Sequence, residues 1–214
     1  MPIPIFIWIA AALISGATVA AYWDDITIYF KGKSFAILGA KATGKTTLHN
    51  FLSAGTLSGG TGMEKTEKNI LRLKDLNLVI KSSIDISGSE DFVSQWKTVI
   101  SQANFVFYLI NSSKVYNKDQ EYIKLVKFHL AKIAEILREI GRRNEVVYII
   151  CSFTDLITNE SDSNRLRSHL EEIIKNALLE LNEAPVVFVG NLNTEQEKEK
   201  LVTELFKTIK TKSK

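Results

Sequence analysis

The sequence predicts an α/β fold: a three-layer αβα sandwich with a mostly parallel sheet, preceded by one N-terminal transmembrane helix. Three observations lead there. From residue 35 onward, short apolar runs alternate with stretches of helical periodicity, the pattern of parallel strands joined through helices. Between the first such run and the next helix stands Gly39-Ala40-Lys41-Ala42-Thr43-Gly44-Lys45-Thr46, a glycine-bounded turn. Ahead of both, Pro2 to Trp23 contains no charged side chain, and about 20 apolar residues span a bilayer as a helix.

Residues 1–24 are expected to be the anchor, in contact with the bilayer through residues 3–23. Trp8, Tyr22 and Trp23 stand near its two ends, where aromatic rings prefer the headgroup layer. A cleaved signal peptide would need a basic segment before the apolar run, and none is present. Lys31 and Lys33 follow the span, so the Lys/Arg bias places the N-terminus outside and the rest in the cytoplasm. Residues 25–34 read as a connector in which Ile26, Ile28 and Phe30 alternate. Residues 35–214 are then one domain, since 214 residues suffice for one well-buried domain plus an appendage. A net charge of +3 spread along the chain gives no nucleic-acid footprint. Cys151 is the only cysteine, so no internal disulfide forms, and its apolar surroundings make it core.

The turn after Phe35-Ala36-Ile37-Leu38 matches GxxxxGK[ST] in the context that gives the pattern meaning, strand before and helix after. This is the P-loop NTPase form of the sandwich. Gly39 and Gly44 let the backbone of Ala40, Lys41, Ala42 and Thr43 curl so that successive NH groups line one concavity. The helix starting near Lys45, with Thr46 and Thr47, adds the positive end of its dipole. Phosphates belong in such a hollow. Lys45 is expected to reach the β- and γ-phosphates, and the Thr46 hydroxyl to ligate Mg²⁺.

Ser53 to Lys68 is rich in Gly, Ser and Thr without apolar periodicity, a composition typical of a functional loop. Asn69 to Lys74 and Leu76 to Asp85 read as strands around a tight region at Asp75. Asp85-Ile86-Ser87-Gly88 follows, where an acid can hold Mg²⁺ through water and a glycine NH can bond a γ-phosphate. Phe105 to Ile110, Val146 to Cys151 and Val186 to Val189 are runs expected of strands covered on both faces. Helices are expected over Glu90 to Ser101, Asp119 to Ile140, Ser163 to Leu181 and Glu195 to Ile209. Gly39, Asp85, Asp155 and Gly190 all fall just past strand ends, so they converge on the carboxyl edge of the sheet, where such folds bind ligands. His49, His129 and His169 stand singly on helical patterns and read as surface or packing residues.

On the phosphate loop, the DxxG and the strand order, the domain resembles a Ras-superfamily GTPase, most similar to the ADP-ribosylation-factor group and the membrane-anchored β subunit of the signal recognition particle receptor. Two spacings sharpen the resemblance: Thr66 lies 19 residues before Asp85 and Trp96 lies 11 after it. The resemblance implies GTP/GDP and Mg²⁺ as cofactors. By it, Thr66 coordinates Mg²⁺ and senses the γ-phosphate, with Thr61 and Thr56 as competitors for that role. Asp85 is a partner of the metal and Gly88 a γ-phosphate donor. It further implies a protein partner reading two switch segments, Ser53 to Lys68 and Gly88 to Ser101.

This chain departs from the family at several places. Where the family carries [NT]KxD, it has Ser152-Phe153-Thr154-Asp155. Asp155 can still accept from guanine N1 and N2, which adenine cannot match, and Phe153 could cover the base. Gly190-Asn191-Leu192 replaces the family's Ser-Ala loop. Ser89 stands where the family keeps the glutamine that orients attacking water, and serine is too short for that task, so hydrolysis is expected to be slow. Catalysis would then rest on Lys45, Thr66 and Ser89. Two other readings remain at this point: a GTP-loaded interaction module that does not hydrolyse, and a P-loop ATPase.

Overall fold

The computed structural model describes residues 7–10, 19–58, 70–82, 91–155 and 160–212. In chain order its elements are β1 (Ile7–Ala10), α1 (Val19–Phe30), β2 (Ser34–Gly39), α2 (Lys45–Ala54), β3 (Thr56–Ser58), β4 (Ile70–Arg72), a 3-10 turn (Leu73–Leu76) and β5 (Val79–Ser82). After these come α3 (Asp91–Ser101), β6 (Phe105–Asn111), α4 (Ser112–Tyr116), α5 (Gln120–Glu139), β7 (Val147–Ser152), α6 (Glu160–Ala177), β8 (Val186–Val189) and α7 (Glu195–Lys212). Six strands form one parallel sheet in the order β1-β8-β7-β6-β2-β5, and β3 pairs antiparallel with β4 apart from it.

Side-chain alternation along each strand builds two cores. In β2, Phe35 and Ile37 join a cluster with Phe30 of α1, Leu48 and Leu52 of α2, and Leu205 and Phe206 of α7. Ala36 and Leu38 join the opposite cluster with Trp96 of α3, Val126 and Leu130 of α5, and Leu170 of α6. With helices on both faces, neither face of β2, β6 or β7 meets water, which is why these strands read as unbroken apolar runs.

Within the charge-free amino-terminal stretch, the described residues form a strand and the start of a helix rather than one long helix. Ile7–Ala10 is a strand, paired in register with Val186–Val189 at the sheet edge. Val19–Phe30 is a helix of 12 residues whose Trp23, Ile26 and Phe30 are buried against the core. Among the described residues, no helix is long and apolar enough to cross a membrane. This overturns the expected single-pass anchor, the bilayer contact of residues 3–23, and the outside-to-cytoplasm orientation built on them. A strand joining a sheet and a helix docked on it demand the same apolar side chains that a bilayer demands, and hydropathy does not tell these surroundings apart. The alternation of Ile26, Ile28 and Phe30 belongs to a helix: Ile26 and Phe30, one turn apart, are fully buried, and Ile28 between them is 79% exposed.

Elsewhere the expected elements recur with shifted ends, except that the Ser53 to Lys68 stretch, expected as a loop, opens with the last residues of α2 and with strand β3. The tight region at Asp75 is the 3-10 turn, closed by Asn77 at φ 49°. The short helix α4 was not foreseen; five residues are too few to show a period, and it is capped by the Asn111 side chain accepting from Lys114 N. After β2 the chain runs to β5 on one side and then crosses to β6 on the other. The sheet therefore reverses its winding at the carboxyl end of β2, which is where a crevice forms in parallel sheets.

Candidate phosphate-loop site

The Gly39–Thr46 loop occupies that crevice. Gly39 at φ 146° and Gly44 at φ 88° take left-handed conformations, as does Ala42 at φ 58°. A Cβ on Gly39 would lie 2.7 Å from the Leu109 carbonyl oxygen, so that position requires glycine for space as well as torsion, and Gly44 requires it for torsion. Lys45 opens α2 and is only 6% exposed. Its ammonium folds back across the loop and donates to the carbonyl oxygens of Gly39 at 3.0 Å and Ala40 at 2.6 Å. Thr43 is buried, its hydroxyl donating to Ala40 O at 3.0 Å. Lys41, Ala42 and Thr46 are exposed, and Thr47 is half-buried. The loop thus has a fixed floor and an open rim, the form required to receive an anion.

Neighbouring strand ends brace this loop. Asn111, at the end of β6, donates from Nδ2 to Ala42 O at 3.4 Å, and its backbone NH donates to the Tyr122 hydroxyl at 2.7 Å. Ser152, at the end of β7, places its buried hydroxyl 3.0 Å from Thr43 O and 3.1 Å from Ile110 O. Ser152 is therefore turned inward to the phosphate loop. Phe153, half-buried, follows at φ 57°, and Asp155 is exposed two residues on. The Thr154 NH and hydroxyl both donate to Asn191 Oδ1, at 2.7 and 2.9 Å. Gly190 NH donates to Cys151 O at 3.1 Å.

A cleft of about 370 Å³ opens beside the loop, lined by Thr46, Thr47, Asn50 and Phe51 of α2 and by Glu195 and Lys198 of α7. Beneath the loop, Tyr108 of β6 is hydrogen-bonded to His129 Nδ1 at 3.0 Å, and the Trp96 ring packs edge-on to the imidazole. Burial and the Lys45 charge push the His129 pKa down to about 4. His129 is a neutral core residue, and the Cys151 thiol is likewise buried, its pKa pushed up to about 12. Among the described residues, no group of three or more His, Cys, Asp or Glu could hold a metal ion.

The structure brings Gly39 to Thr47, Ser152 to Asp155 and Gly190 to Asn191 to one edge of the sheet. Thr61, Thr66, Asp85, Gly88 and Ser89 lie outside the described residues, and Thr56 opens β3. Sequence reasoning missed Asn111, Thr154 and Glu197 as parts of this edge. Asn111 had a signal, an Asn at the end of an apolar run followed by Ser112-Ser113, the place of a helix cap.

Strand order, winding reversal and glycine-bounded loop together define a P-loop α/β domain. No protein-family model matches the chain, and no curated protein matches it. Among solved structures it is similar to small GTPases. One is the ADP-ribosylation-factor-like small COPII coat GTPase of Encephalitozoon cuniculi in complex with GDP, at 15% identity over 92% of this chain and 91% of that one, TM-score 0.48. Another is a GTP-binding protein of Sulfolobus solfataricus in complex with GDP, at 16% identity over 93% and 70%, TM-score 0.48. A third is the signal recognition particle receptor protein SRb of Chaetomium thermophilum with GDP and Mg, at 12% identity over 76% and 90%, TM-score 0.46.

Proposed function

We propose that this chain is a GTP-binding protein with slow, Mg²⁺-dependent hydrolysis, acting as a switch that a protein partner reads. The observation that carries the proposal is the position of Lys45, buried and bonded across the Gly39–Thr46 loop while the loop's rim stays open. An ammonium held there meets the β- and γ-phosphates of a triphosphate without first giving up a rotamer search. The cradle's backbone NH groups and the α2 dipole add diffuse positive charge along the phosphate chain.

Guanine preference is assigned to Asp155. Its carboxylate accepts from N1 and N2 of guanine, and adenine offers no matching pair of donors. Support comes from the loop that carries it, tied to the phosphate loop through Ser152 and to the β8–α7 loop through Thr154. Phe153 flanks the base and Gly190 and Asn191 border it. The Thr46 hydroxyl, with Thr66 and Asp85, would hold Mg²⁺, which when bound neutralises charge on the β- and γ-oxygens. Thr66 and Gly88 answer to the γ-phosphate, so the segments Ser53 to Lys68 and Gly88 to Ser101 carry the switch.

Competition of GTP, GDP and ATP for the full chain with Mg²⁺ present, beside Asp155→Ala, tests this reading. GTP and GDP should bind, ATP should bind far more weakly, and the Asp155 change should remove the difference. Equal binding of ATP, or no binding, would overturn it. The presence of Ser89 favours a second reading, a GTP-loaded interaction module that does not turn over. Turnover no faster than that of Lys45→Ala would select it.

A further inference from the structure

We infer that Asn191 is a positioning residue for purine selectivity, fixing the backbone from which Asp155 is presented. The inference rests on the guanine reading above and assigns a role to a side chain that this reading leaves only bordering the base.

The loop after β7 makes a left-handed step at Phe153, φ 57°. Such a step costs a non-glycine residue about 1–3 kcal/mol and persists only where neighbouring contacts hold it. On the upstream side the hold is the buried Ser152 hydroxyl, between the carbonyls of Thr43 and Ile110. On the downstream side it is Asn191 Oδ1, which accepts from both the NH and the hydroxyl of Thr154. Asp155 follows immediately, exposed at the same edge. Two donors converging on one amide oxygen fix both the backbone and the side chain of the residue before it.

The orientation of the Asn191 amide follows from its partners. Thr154 NH can only donate, so the oxygen of the amide must face it. Nδ2 then faces Glu197 Oε1 at 3.3 Å, an acceptor. Glu197 is itself held: Oε2 accepts from the NH and hydroxyl of Thr194 at 3.0 Å each, and Glu197 NH donates back to the Thr194 hydroxyl at 3.2 Å. This reciprocal capping box starts α7. Hydrogen bonds from Thr194, Asn191 and Asn193 hold the Glu197 carboxyl below its ordinary range, so it stays an acceptor at neutral pH. A chain of contacts thus runs from the rigid start of α7 through Glu197, Asn191 and Thr154 to Asp155.

Three variants of the full chain test this, each measured for GTP, ATP and magnesium tripolyphosphate, the last a probe of the phosphate cradle alone. Asn191→Ala should lower the GTP-to-ATP affinity ratio about tenfold, with tripolyphosphate affinity moving less than about twofold. Thr154→Val, which removes one of the two donors and keeps the shape, should give a smaller loss in the same direction and decides the matter if Asn191→Ala does not fold. The pair Asn191→Asp with Glu197→Gln exchanges donor and acceptor across their contact, leaves an acceptor for Thr154, and should restore the ratio. A merely structural role would not be rescued selectively in this way. If the unsubstituted chain prefers GTP and both Asn191→Ala and Thr154→Val keep that preference, the inference fails and the functional reading stands. If the unsubstituted chain shows no preference, the functional reading itself fails.

Discussion

The rings of Phe30 and Phe206 lie stacked, centroids 4.2 Å apart and planes 17° from parallel. They join α1 to α7, and Phe35 of β2 stacks on both from below. Residues expected to be the end of an anchor and a connector are therefore part of the core. Phe30→Ala should cost about 3–5 kcal/mol of folding stability, the range for a fully buried aromatic ring removed from a packed site. Ile28→Ser, two residues away on the exposed face, should cost less than about 0.5 kcal/mol. Urea unfolding of both variants checks the contrast, and equal midpoints would contradict the docking of α1.

Lys45→Ala removes the ammonium that bridges Gly39 O and Ala40 O. Two backbone carbonyls in the loop floor lose their donor, and a bound triphosphate would lose the one buried Lys or Arg among the described residues. Charge-assisted hydrogen bonds contribute about 1.5–3 kcal/mol each, so triphosphate affinity should fall by roughly one to two orders of magnitude. Calorimetric titration with the nucleotide reads this directly. An affinity within about twofold of the original would mean that phosphates do not sit over Lys45.

His129 supplies a pH signature. Its folded pKa is about 4, below the ordinary 6.5, because burial and the Lys45 charge disfavour the imidazolium. The unfolded chain therefore binds the extra proton first as pH falls. This contribution is fully present above pH 6.5 and is lost as pH falls from there through about 4. The loss from this one group is on the order of 3 kcal/mol over that window. Unfolding midpoints at a series of pH values should show the slope, and His129→Gln, which keeps a polar partner for Tyr108, should flatten it. A slope unchanged in that variant would place the proton elsewhere.

What could be read from the sequence follows from range. β2, β6, β7 and β8 are local apolar runs with helices on both sides, and their boundaries were legible to within a residue or two. The phosphate loop was legible because its glycines, lysine and threonine are contiguous. The contacts that shape the site join residues far apart in sequence: Ser152 with Thr43, Asn111 with Ala42, Thr154 with Asn191. No periodicity encodes such pairs. Ser152 stands in the base-recognition motif, and its hydroxyl donates to the backbone of the loop below. The first strand and helix failed for a different reason, since a strand within a sheet, a helix docked on it and a bilayer select the same apolar residues.

Hydrolysis should be limited by the residue after Gly88. Ser89 offers a hydroxyl on one carbon, too short to hold a water in line with the γ-phosphate and also reach the charge that develops there. In this reading binding rests on the cradle, Lys45 and Asp155 and not on that hydroxyl, so binding and turnover should separate. Ser89→Gln should raise single-turnover GTP hydrolysis by at least about tenfold, equivalent to ~1.4 kcal/mol of barrier, while GTP and GDP affinities stay within about twofold. Quenched assays with saturating protein isolate the chemical step from product release. A rate unmoved by the substitution would show that water is not being positioned from this place at all. The chain would then be better described as a GTP-loaded module whose output is the partner it holds.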